Sequence, residues 1–141
     1  MIRLLTVVAS TIMLFVSAHC WAEAASPHKD PAVMVQYNMM VTMRDGVRLS
    51  TDIYRPAKDG KYPVILLRNP YGNGTNGAFA SVEVGHKWAK KGYVFLHQDV
   101  RGRYDSEGKF YTYTSELADG YDAQQWAGKQ AWSNGKVGTL G

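Results

Sequence analysis

"PVILLRNPYGNGTNG", residues 63–77, decides the fold. Residues 63–68 are apolar at successive rather than alternate positions, so a strand made from them is buried on both faces, as in a parallel sheet. Pro63 bounds the run on one side and Asn69-Pro70 on the other. A loop carrying Gly72, Gly74 and Gly77 follows. Residues 78–91 then place Phe79, Val82, His86 and Ala89 at helical spacing. Lys90 and Lys91 suit the carboxyl end of that helix, and Gly92 can end it. "YVFLHQD" (93–99) is a second buried strand, which completes a strand–helix–strand unit.

Upstream, "MVQYNMMVTM" (34–43) reads as a strand, and Asp45-Gly46 as a hairpin turn. "VRLSTDIYRP" (47–56) alternates. Val47, Leu49, Thr51 and Ile53 share one face, and Arg48, Ser50, Asp52 and Tyr54 the other, which predicts a half-buried antiparallel strand. Downstream, residues 100–114 form a long polar and aromatic loop. Ser115 is placed to cap a helix, with Glu116 and Asp119 in or near its first turn. Asp119 and Asp122 read as caps and surface charge. "SNGK" (133–136) turns the chain, and "VGTLG" (137–141) opens a third buried strand. The fold class is therefore α/β: an antiparallel hairpin leading into a mostly parallel sheet with flanking helices. A final strand with no helix after it leaves one sheet face uncovered, so the sequence reads as the front part of a longer domain.

The 141 residues are 45% hydrophobic and 20% charged, the composition of one globular domain. The net charge of +4 is scattered. Its densest groups, Lys87/Lys90/Lys91 and Arg101/Arg103, make no continuous stripe, so no nucleic-acid partner is expected. Residues 1–24 have the layout of a secretory signal peptide. Arg3 precedes an apolar run over residues 4–18, and Ala22-Glu23-Ala24 offers a cleavage site. The run falls short of the roughly 20 residues that span a bilayer. The mature chain is thus expected to be secreted or periplasmic, with no membrane partner, and to begin with a leader over 25–37. Cys20 is the only cysteine and leaves with the signal, which excludes a cysteine nucleophile and a cysteine-ligated metal. No His/Asp/Glu cluster has metal-ligand spacing, so neither metal nor cofactor is expected.

The glycine loop has two readings. Gly72-x-Gly74-x-x-Gly77 lies between strand and helix, and Asp99 follows Gly77 by 22 residues, as in a dinucleotide fingerprint. Against this, four residues separate the first glycine from the strand, a hairpin precedes the unit, and the chain carries an export signal. An ordinary flexible loop is the better explanation of the glycines. An exported binding protein without chemistry is a further alternative.

Five stretches occur in register: "MRDGVRLSTDIYRP" (43–56), "PVILLRNPY" (63–71), "GYVFLHQDVRGRYDSEGKF" (92–110), "ELADGYDAQQW" (116–126) and "WSNGKVGTLG" (132–141). Together they resemble the amino-terminal part of the cocaine esterase / X-prolyl dipeptidyl aminopeptidase-like (CocE/NonD) hydrolases, over residues 38–141. The resemblance implies a partial α/β-hydrolase domain that ends before the nucleophile elbow, with Gly141 as the elbow's first glycine. The nucleophilic serine and the triad aspartate and histidine would lie beyond residue 141. It also implies that Tyr71 donates its hydroxyl to the oxyanion. The substrates would be small acyl esters, α-amino-acid esters or short X-Pro peptides, and the fragment alone would be inactive. Asp99-x-Arg101-Gly102 resembles a structural turn of such folds and reads as an ion-paired loop brace. His28, His86 and His97 lie too early in the chain to be the triad histidine.

Overall fold

The structure, a computed structural model, describes residues 32–73 and 82–140. The signal peptide, most of the leader, Gly74, Gly77, residues 78–81 of the expected helix and Gly141 lie outside the described residues.

Five strands and two helices alternate as the sequence order predicts. They are β1 (Val33–Thr42), β2 (Arg48–Pro56), β3 (Tyr62–Asn69), α1 (Val82–Lys90), β4 (Val94–Asp99), α2 (Glu116–Gly128) and β5 (Ser133–Leu140). The sheet order is β1-β2-β4-β3-β5. β1 and β2 form the antiparallel hairpin, closed at Asp45-Gly46 by a Met43 N–H to Val47 carbonyl bond of 2.8 Å. β2 pairs antiparallel with β4, while β3 lies parallel between β4 and β5. β1 begins at Val33, inside the stretch read as leader.

The helices cover opposite faces. α1 lays Ala89, Val82 and Trp88 on Tyr54, Leu67 and Phe95. α2 lays Ala123 and Ala127 on Ile53, Val64, Leu66, Val94 and Leu96. Every residue of β4 is buried, the polar His97, Gln98 and Asp99 included.

Four expectations are corrected. β2 is buried on both faces rather than half-buried, because β1 and β4 flank it and α1 covers the Tyr54 side. Ser115 sits at the start of α2 but makes no side-chain cap bond. "SNGK" lies within β5 as a bulged stretch, with Gly135 at φ 83°, rather than as a turn. β5 is an edge strand, and its residues Gly138, Thr139 and Leu140 are exposed rather than buried.

Candidate active site

β3 and β4 run parallel and finish together, Asn69 beside Asp99. In sheets of this kind ligands bind beyond the carboxyl ends of the strands. The two loops that leave those ends, residues 70–73 and 100–115, enclose an open cleft of about 230 Å³. Arg68, Asn69, Tyr71, Phe110, Tyr113 and Glu116 are among its lining residues.

Tyr71 stands at the mouth of the cleft with 58% of its surface exposed. Its backbone N–H donates to Asn69 Oδ1 at 2.9 Å, an Asx turn across Pro70. The Pro70 carbonyl accepts from Arg103 Nε at 3.2 Å. The Arg103 guanidinium in turn lies 5.4 Å from the Tyr104 ring and 5.3 Å from the Phe110 ring. Gly72 has φ +99°, and a β-carbon there would sit 3.2 Å from the Tyr104 ring. Glycine is therefore required at the turn away from Tyr71, on conformational and steric grounds alike.

The floor is polar. Arg68 reaches across the ends of the strands to donate to Gln98 Oε1 and to Glu116 Oε2, both at 2.8 Å. Asn69 Nδ2 lies 3.0 Å from His97 Nε2. His97 is 1% exposed, and burial pushes its imidazole down to about 4 against a smaller opposite pull from the Asn73 backbone. Ser106 ties the second loop to the sheet: its hydroxyl donates to the Asp99 carbonyl at 2.8 Å and accepts the Ser50 N–H at 2.9 Å.

Among the described residues Asp99 and Arg101 make no ion pair with each other. Arg101 pairs with Asp119 (2.6 Å) and Asp45 (2.7 Å), so it joins the loop to α2 and to the β1–β2 turn. Asp119 is 1% exposed, a buried partner rather than a cap or surface charge. Asp122 pairs with Arg44 at 2.8 Å. The Asp99 side chain is fully buried, and neither carboxylate oxygen has a well-aligned donor among the described residues. Burial pushes it up to about 6, only partly offset by the backbone N–H groups of Asp105 and Asn73. A carboxylate so enclosed cannot reach a ribose, and the space beside Gly72 is taken by the Tyr104 ring. Both facts stand against the dinucleotide reading. Gly102, at φ +69°, is where the loop folds back on Lys109 and Phe110.

The cleft supplies a phenol hydroxyl, a guanidinium–carboxylate pair and aromatic walls. His97 bonds to an asparagine amide rather than to a serine. Among the described residues, no group of three His, Cys, Asp or Glu side chains is arranged to hold a metal ion. Sequence reading missed Asn69, Arg103 and Glu116. Only Asn69 carried a signal, as an Asx-turn residue directly before a proline.

A sheet of this order, with a helix on each face and a cleft beyond its parallel strands, is α/β-hydrolase architecture. A solved CocE/NonD family hydrolase from Staphylococcus aureus superposes with a TM-score of 0.68 and 31% identity, over 77% of this chain and 23% of that one. An α-amino acid ester hydrolase superposes with a TM-score of 0.65 and 28% identity, over 89% of this chain and 24% of that one. Residues 45–141 match the X-Pro dipeptidyl-peptidase (S15) family. Cocaine esterase of Rhodococcus sp. (strain MB1 Bresler) is 43% identical over 108 residues, covering 76% of this chain and 19% of that protein. The chain belongs to the S15 family of CocE/NonD-type hydrolases. It spans about a fifth of the length of the curated relatives it matches.

Proposed function

We propose that these residues form the amino-terminal part of an exported serine hydrolase that cleaves esters or amides through an acyl-enzyme, with Tyr71 as one donor of its oxyanion hole. The observation that carries the reading is the placement of Tyr71. It lies directly beyond the carboxyl end of β3, at the mouth of the cleft, on backbone tied by Asn69 and Arg103. A phenol O–H held there donates to charge that exists only in the tetrahedral transition state. The serine is the second residue after Gly141, at the end of the strand that β5 begins, and its base and acid follow later in the chain. Substrates are small acyl esters, α-amino-acid esters or short X-Pro peptides.

In the full-length enzyme, Tyr71→Phe lowers kcat on p-nitrophenyl butyrate by about 100- to 1000-fold with little change in KM. An unchanged kcat overturns the oxyanion role. Residues 25–141 alone give no hydrolysis above a heat-denatured control. Export is read from the mature amino terminus, expected by mass spectrometry at Ala25.

A further inference from the structure

Among the described residues, the contacts that tie the backbone at Tyr71 are hydrogen bonds. Its backbone N–H can only donate, and it donates to Asn69 Oδ1 at 2.9 Å. That contact fixes which end of the Asn69 amide faces Tyr71, and the NH2 end must face the other way. There it meets His97 Nε2 at 3.0 Å. The NH2 group can only donate, so Nε2 must accept. His97 is therefore neutral with its proton on Nδ1. The other tautomer, or the imidazolium, would set donor against donor at 3.0 Å. Among the described residues Nδ1 has no well-aligned partner, so the Asn69 contact selects the tautomer. His97 and Asn69 are 1% and 8% exposed, and His97 lies on β4, with β2 and β3 on either side. The chain of contacts therefore starts from the buried centre of the sheet.

We propose that His97 is a positioning residue: as the neutral Nδ1-protonated tautomer it fixes the Asn69 amide, which fixes the backbone that presents the Tyr71 hydroxyl. The inference rests on Tyr71 as an oxyanion donor. A donor displaced by about 1 Å loses on the order of 100-fold in rate, so the backbone that carries the phenol needs a fixed base.

In the full-length enzyme with p-nitrophenyl butyrate, His97→Leu lowers kcat about tenfold and leaves KM within about twofold. His97→Gln, whose Oε1 can accept from Asn69 Nδ2, recovers most of that loss. In a Tyr71→Phe background, His97→Leu causes no further loss, because the positioned group is gone. An unchanged kcat for His97→Leu, or an equal fractional loss in both backgrounds, overturns the relay. A large Tyr71→Phe loss in that same series leaves the oxyanion reading standing, whereas a Tyr71→Phe enzyme with full kcat overturns both. Where His97→Leu fails to fold, ring 15N NMR of the parent protein decides by itself. The Nδ1–H tautomer is expected at neutral pH, and an Nε2–H tautomer or an imidazolium refutes the proposal.

Discussion

At Gly102 the backbone has φ +69°, and a β-carbon would lie 2.2 Å from the Phe110 nitrogen. That nitrogen is backbone and cannot swing aside, so the loop after β4 folds back only with glycine here. Gly102→Ala therefore combines left-handed strain with a collision and costs about 2–4 kcal/mol, read from urea unfolding of the intact protein. A loss below about 1 kcal/mol would show the loop free to open. The same scale explains why Asp99 and Arg101 looked like a pair. They stand two apart in a turn, and opposite charges at that spacing suggest a bridge. The geometry instead sends Arg101 to Asp119 and leaves Asp99 beneath the loop. Spacing along a chain names which charges are present, and only the turn's path decides which of them meet.

Two of the ion pairs that hold α2 near its start differ in their surroundings. The Arg101–Asp119 pair is 12% and 2% exposed, whereas Arg44 in the Arg44–Asp122 pair is 57% exposed. Removing Asp119 leaves the largely buried Arg101 with only the half-exposed Asp45, so Asp119→Ala is expected to cost about 3 kcal/mol. Asp122→Ala costs much less, because Arg44 returns to solvent. Equal losses in thermal unfolding would contradict this ranking. The elements themselves were readable where pattern and environment agree. Residues 63–67 and 94–96 carry no polar side chain, as suits the buried parallel strands they form. β2 was misread in part, because alternation reports exposure only when one face meets water. Here Ser50, Asp52 and Tyr54 lie inside, against the bulge at Asn38 and against α1.

Three buried groups at the top of the sheet couple the whole fold to pH. Burial pushes Asp52 and Asp99 up to about 6 and His97 down to about 4. A carboxyl raised from 3.8 to about 6 binds its proton more tightly in the fold. Its contribution is full below pH 4 and is lost as the pH rises through 6. His97 acts oppositely: its lowered value makes stability rise with pH between about 4 and 6.5. Asp99→Asn removes one falling contribution, so the variant gains on its parent between pH 4 and 6 and keeps a constant lead or deficit above. Urea unfolding at pH 4, 5, 6 and 7 measures that gap, and a gap independent of pH would reject the assignment. Tyr71 became the residue to watch through the family resemblance of residues 38–141, whereas the sequence by itself determined the α/β class, the hairpin and the two central strands. Each follows from a local pattern: which neighbours are apolar, where proline and glycine interrupt, which motif follows a strand. The sheet order, the Arg101–Asp119 pairing, the isolation of Asp99 and the His97–Asn69–Tyr71 chain belong to the tertiary structure alone. They join residues far apart in the chain, Asn69 with His97 and Tyr62 with Ser133 among them, and such contacts exist only once the strands lie side by side.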